Sequence, residues 1–141
     1  MEPRGKKYSA PDIDVYYEPR ICIHAHRCVQ GAPAVFDPNA RPWIQPVNAA
    51  ADELASVIER CPTGALHFVR KDGGAAEVPA DEDSIALVAN GPLYVRGDMT
   101  LVLPDGTVVR HDTRVALCRC GQSQNKPYCD NSHKSSGFVA E

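Results

Sequence analysis

Residues 118–133 read CRCGQSQNKPYCDNSH. Three thiols and one imidazole, Cys118, Cys120, Cys129 and His133, fall inside this one stretch. The rest of it is Gly, Pro, Ser, Asn, Gln and charge, which bury little apolar surface, so something other than packing must order it. Thiolates and imidazole suit zinc or an iron–sulfur cluster, whereas hard cations take oxygen. Spacing separates the two metals. Zinc fingers ordinarily use Cys-x2–4-Cys knuckles on a single ion. Cys118-x-Cys120 is tight for one tetrahedral ion and suits two thiolates on one iron of a [2Fe-2S] cluster, with Cys129 and His133 on the other iron.

Outward from this stretch, the chain has 141 residues, 43% hydrophobic and 23% charged, which is globular in character. Net charge is −3 with pI about 5.9, so no basic field points to nucleic acid. No apolar run reaches the ~20 residues of a membrane span. The opening MEPRGKKYSAPD lacks the apolar stretch of a signal peptide. The expected location is therefore cytoplasmic, with no membrane partner. Thiols stay reduced there, so the six cysteines read as metal ligands rather than three disulfides.

The other three cysteines lie in the first half. Cys22-Ile-His-Ala-His-Arg-Cys28 is a C-x5-C loop, and Cys61-Pro62 follows it. Bacterial ferredoxins use C-x2-C-x2-C with a remote C-P. Ala25 stands at the middle position and cannot ligate. Three cysteines suit a [3Fe-4S] cluster; a [4Fe-4S] cluster would take its fourth ligand from His24, His26 or an exogenous group.

Between the two sets, KDGGAAEVPADED (71–83) is acidic, with a Gly pair and a Pro, and reads as a solvated linker. IDVYY (13–17) reads as a strand. Asn48 is placed to cap a helix running to about Arg60, with Leu54, Val57, Ile58 and Cys61 on its buried stripe. ALHFV (65–69) reads as a returning strand. LYVR (93–96), MTLVL (99–103), TVVRH (107–111) and VALC (115–118) read as four short strands, with turns at Gly97-Asp98 and Pro104-Asp105-Gly106. Trp43, Phe36 and Tyr16 are expected in the core. Arg119, Lys126 and Lys134 against Asp130 suggest a positive rim at the C-terminal site.

The stretch 118–133 resembles the CDGSH iron–sulfur family (mitoNEET-like), whose pattern is C-x-C-x2-[S/T]-x3-P-x-C-D-G-x-H. Cys118, Cys120, Ser123, Pro127, Cys129, Asp130 and His133 stand at every spacing. Asn131 stands where the family has Gly. Asn is among the non-Gly residues best able to adopt positive φ, so the turn is expected to survive. The resemblance implies Ser123 and Asp130 as hydrogen-bonding residues around the ligands. Residues 11–70, through YYEPRICIHAHRCVQGAPAVFDP, RPWI and CPTGAL, resemble the divergent mono-cluster ferredoxin family (YjdI-like). That family is bacterial and is generally described as four-iron.

The expected fold is α+β: a small ferredoxin-like N-terminal unit (11–70), a linker (71–83), and a C-terminal antiparallel β-sheet (84–141) leading into the CDGSH-type cluster loop. The resemblance also implies a homodimer, or a monomer in which the ferredoxin half replaces a second CDGSH copy. The expected role is electron transfer or redox sensing with an unidentified redox partner protein, and no catalytic residues are expected. A cluster carrier is the alternative, and a structural zinc module a weaker one.

A neutral imidazole in place of a thiolate raises a cluster's reduction potential. It can also be protonated off the metal in mild acid. His133→Cys is therefore expected to slow bleaching of the visible band between pH 8 and 6 and to lower the potential of that cluster. Identical bleaching of both forms would remove His133 from the ligand set.

Overall fold

A computed structural model describes residues 3–141. Lys6–Ser9 (β1), Ile13–Tyr17 (β2) and Leu66–Arg70 (β3) form one antiparallel sheet in the order β1-β2-β3. Ser84–Leu87 (β4), Leu93–Val102 (β5) and Val108–Leu117 (β6) form a second, in the order β4-β5-β6. Three short helices complete the chain: Arg27–Gly31 (α1), Ala51–Ile58 (α2) and Ser132–Ser136 (α3). The N-terminal part runs β1, β2, cysteine loop with α1, α2 and β3. Among the described residues no helix is long and apolar enough to cross a membrane.

In β2 the period of two turns Ile13 and Val15 into the core. Tyr17 follows them and packs edge-on against Trp43, ring centroids 5.0 Å apart. Tyr17, not the expected Tyr16, is therefore the aromatic of this strand that meets the core, because it shares the face of Ile13 and Val15. Phe36 and Ile44 are fully buried and bridge each other across the proline-rich loop. From the other side α2 closes the core with Leu54, Val57 and Ile58, on the spacing the sequence showed.

The helix start differs from expectation. Ala50 precedes α2, and Asn48 ends a 3-10 turn, Pro46–Asn48. Its side-chain amide donates to the Ala34 carbonyl at 3.0 Å, so it is engaged in pinning the loop instead of capping. Cys61 lies beyond the helix, not on its stripe.

The second sheet also differs. The four expected strands are two long ones. Gly97-Asp98 makes no turn: Arg96 faces Arg114 and Met99 faces Asp112, so two residues oppose Thr113 in a β-bulge. Gly97 holds φ +146 there, which few side-chain-bearing residues adopt. Pro104-Asp105-Gly106 does turn the hairpin, with the Gly106 N–H donating to Leu103 O at 2.8 Å. The strand β4 follows directly on the segment read as linker.

The second sheet has almost no apolar core of its own. Its buried apolar residues are Val115 and Ala116 on β6 and Cys129, with Ile23 from the first cysteine loop packed on Ala116 and Cys129 and Tyr94 flanking them. What holds it to the first unit is charge. Arg110 and Arg114 on β6 are each 2% exposed. Arg114 donates to the carbonyls of Ile58 (2.8 Å), Cys61 (2.7 Å) and Leu66 (2.7 Å), and to Glu77 at 3.2 Å. Arg110 pairs with Asp112 at 2.7 Å and Glu18 at 3.0 Å. Gly64, at φ +75, lies so close that a Cβ would strike the Arg114 carbonyl at 2.4 Å. Glu77 shows that the acidic segment 71–83 is not solvated throughout: its side chain is 4% exposed. The Asp81-Glu82-Asp83 run is exposed as expected.

His67 on β3 sits inside this network, 2.9 Å from Glu77 and 3.0 Å from Asp112. Burial works against its charge and so does Arg114, but the hydrogen bonds to Asp112 and Glu77 outweigh both and hold its pKa above 6.5. Glu77 is driven down to about 2: burial opposes this, while His67, Arg114 and Thr113 produce it. A pKa raised by folding stabilises fully below the unfolded value and loses that contribution as pH rises through the folded value. The thermal midpoint of the holo protein is therefore expected to fall above pH 6.5, and His67→Gln is expected to flatten that fall. Parallel pH profiles for the two proteins would contradict it.

Candidate metal centres

The C-terminal loop begins where β6 ends at Leu117. Two backbone bonds lock its ends together: Cys118 N–H to Pro127 O at 2.8 Å and Cys129 N–H to Ala116 O at 2.9 Å. Within the loop the donors stand in two pairs. Cys118 Sγ and Cys120 Sγ are 3.8 Å apart, and Cys129 Sγ is 3.6 Å from His133 Nδ1. Among the described residues no three His, Cys, Asp or Glu side chains converge as ligands of a single ion. Each pair presents two soft or borderline donors side by side.

Backbone amides already aim at the sulfurs. Gln122 N–H donates to Cys120 Sγ and Asn131 N–H to Cys129 Sγ, each at 3.4 Å. Burial disfavours the Cys118 thiolate, but N–H groups of Ser123 and Gly121, with Cys120 and the Lys126 charge, hold its pKa below the usual value. Cys129 is pushed up, first by burial and then by Asp130, Cys118 and Cys120. His133 is pushed down, by burial and by Lys134. Its ring abuts the Val88–Gly91 turn, where a Cβ on Gly91 would lie 3.5 Å from Nε2. The imidazole so placed favours the neutral form a metal requires.

Ser123 and Asp130 hold the loop. Ser123 Oγ donates to Tyr128 O at 2.6 Å and accepts from Asn125 N–H at 3.0 Å. Asp130 accepts from Gln124 N–H at 2.8 Å and Ser132 N–H at 3.0 Å, which keep its carboxylate ionised. Asn131 takes φ +71, so the turn accommodates the departure from Gly. The expected positive rim is smaller than its charge count. Arg119 is spent on the carbonyls of Val88 (2.7 Å) and Gly91 (2.9 Å), and Lys126 on Ser123 O at 2.9 Å.

Cys22, Cys28 and Cys61 line a single cavity of about 280 Å³. A 3-10 turn, Pro19–Ile21, delivers Cys22, α1 carries Cys28, and the turn after α2 carries Cys61. Cys61 Sγ lies 3.4 Å from Thr63 Oγ1, and Arg114 grips its carbonyl. Burial pushes the Cys28 thiol up to about 11, with Cys61 and Cys22 adding like charge. The Tyr17 phenol lies on the same wall and is also pushed up, by burial and by its hydrogen bond to Cys22. Cys28, disfavoured as a thiolate by burial and by its two neighbouring cysteines, belongs to a donor set that a cationic metal centre relieves, so these residues fit such a group. His24 (φ +57) and His26 (φ +62) are exposed and line the same cavity, as does Ala25. The role of Arg114 was not anticipated, since no motif marks it, and the alternation in β2 hinted at Tyr17.

The donor sets, taken with the families matched, support an iron–sulfur protein. The profile of the family described as "Divergent 4Fe-4S mono-cluster" matches residues 8–71, and that described as "Iron-binding zinc finger CDGSH type" matches residues 90–134. The chain is 38% identical over 64 residues to the uncharacterized protein YjdI of Escherichia coli K12, covering 45% of this chain and 84% of that protein. The YjdI of E. coli O157:H7 gives the same values. The chain belongs to the YjdI family of divergent mono-cluster ferredoxins, here joined to a CDGSH segment. The four-iron description lends no support to the three-iron count read from the sequence.

Ser123→Ala would leave Tyr128 O and Asn125 N–H without their partner. Leaving such groups unsatisfied costs about 1–3 kcal/mol. Visible absorbance of the C-terminal centre should then be lost at lower guanidinium concentration than in the parent protein; an unchanged midpoint would show the hydroxyl to be dispensable.

Proposed function

We propose that this is a two-cluster electron-transfer or redox-sensing protein, without catalytic residues of its own. Cys118, Cys120, Cys129 and His133 hold a [2Fe-2S] cluster, and Cys22, Cys28 and Cys61 hold the second. The observation that carries the reading is the presence of two distinct sulfur-donor sites in one small chain, one as two pairs and one as a cysteine-lined cavity. An iron–sulfur cluster supplies one-electron redox chemistry. The protein's part is to present thiolates, shield them with Tyr17 and Trp43, and aim amides at the sulfurs.

For the second site the family description supports [4Fe-4S], with His24 or His26 as the fourth ligand, since both line the cavity. The [3Fe-4S] reading stands beside it because only three cysteines do so. Low-temperature electron paramagnetic resonance separates them. A four-iron cluster is silent as isolated and gains a signal on reduction; a three-iron cluster shows its signal when oxidised and loses it. Replacing the ligating histidine by Ala is expected to release one iron and create the oxidised three-iron signal. Reversible reduction without movement of visible absorbance to an added apo-ferredoxin supports the electron carrier; movement to the acceptor supports cluster transfer instead. A colourless protein without acid-labile sulfide overturns both.

A further inference from the structure

Asn131 joins the two ligand loops by a bond from each of its amides. Asn131 lies two positions after Cys129 and donates its backbone N–H to Cys129 Sγ at 3.4 Å. Its side-chain amide donates to the Ile23 carbonyl at 2.8 Å. Ile23 is the neighbour of Cys22 in the chain. The Ile23 side chain is 6% exposed and packs in one cluster with Cys129 and Ala116. Nearby, Asn125 of the same loop donates to the Arg20 carbonyl at 2.9 Å. Two asparagine amides thus grip the backbone on either side of Ile21-Cys22.

We propose that Asn131 is a positioning residue that couples the two iron–sulfur sites and provides the route by which one electron passes between them. The inference rests on the two-cluster reading above. From Cys129 Sγ the route crosses the Asn131 N–H, follows the Asn131 side chain, crosses the Nδ2–H···O=C bond to Ile23, and continues along the backbone to Cys22. Every span is covalent or a hydrogen bond. A single electron leaves one ligand set and enters the other; the first site is oxidised by one equivalent and the second reduced by one. No bond forms or breaks and no proton moves. Asn suits the position twice over. Its backbone accepts the left-handed φ that the turn demands, and its side chain supplies the donor that glycine lacks. The residue that departs from the CDGSH pattern is the one that touches the other site.

The test compares the full-length holo protein with Asn131→Gly, which keeps the turn and the N–H to Cys129. It also uses Asn131→Asp, which keeps the shape but turns an acceptor toward Ile23 O. Iron and acid-labile sulfide are counted first. One electron is then injected by a photoexcited deazaflavin, and its redistribution between the two visible spectra is followed. In the parent protein redistribution should be independent of protein concentration and faster than in either variant. Amide exchange at residues 21–24 should quicken about fivefold in both variants, the factor for losing one net hydrogen bond of about 1 kcal/mol. Loss of iron from the N-terminal site alone in Asn131→Gly also supports the coupling, since the residue reaches that site only through Ile23. Equal redistribution rates in all three proteins, with both sites filled, overturn the coupling and leave the two-cluster reading standing. A parent protein with one site empty of iron and sulfide overturns both.

Discussion

A buried guanidinium stands at the centre of the contact between the two halves of this chain. Arg114 comes from β6, yet most of its donors are used up on the N-terminal unit: the Ile58 carbonyl that ends α2, that of Cys61, and that of Leu66 at the start of β3. A helix leaves its last carbonyls unpaired, and a buried arginine carries five donors that must find acceptors. The two needs answer each other at Nη1 and Nη2, while Nε finds no acceptor among the described residues. Removing one partner of such a buried set costs about 3–5 kcal/mol, because the remaining groups stay buried and unpaired. Gly64 lets the backbone approach closely enough for this to happen. Arg114 also fixes the backbone of Cys61, so the force that joins the units also shapes a candidate metal site.

The division of labour between apolar packing and polar bonding follows from composition. The N-terminal unit has enough Ile, Val, Leu and Phe to enclose a core around Val15, Phe36 and Leu54. The C-terminal sheet buries Arg110, Asp112 and Arg114 beside only two apolar residues of β6, Val115 and Ala116. Its outer strands leave Ile85, Leu87 and Val108 exposed. The loop after β6 has no apolar residues to bury beyond Cys129 and depends on short hydrogen bonds through Ser123 and Asp130. Such a loop gains order when its sulfurs are tied by metal, which makes ligand binding part of folding.

What was legible in the sequence was what a single residue or a local period decides. The apolar stripe of α2, the alternation of β2 and the cysteine spacings each carry their meaning within a few positions. The misreadings share another cause. Gly97-Asp98 looks like a turn locally, but β6 continues opposite it and converts it to a bulge. Asn48 looks like a cap until Ala34 offers a carbonyl. Glu77 looks like one more linker acid until His67, Thr113 and Arg114 surround it. In each case the partner lies far along the chain, and only the tertiary arrangement says that it is there.

Asn131 stands between these two kinds of information. Its consequence for the turn could be read from the residue alone, because asparagine tolerates positive φ. Its second consequence could not, because Ile23 lies in the other unit. A glycine would satisfy the turn at lower conformational strain, so the turn by itself gives no reason for asparagine. The reason lies in the contact: where the CDGSH loop faces its companion ferredoxin loop, a donor at this position closes a hydrogen bond that glycine leaves open. The local departure from the motif is thus explained by the fusion of the two units, and the fusion gains at that residue a bonded link between the two candidate ligand sets.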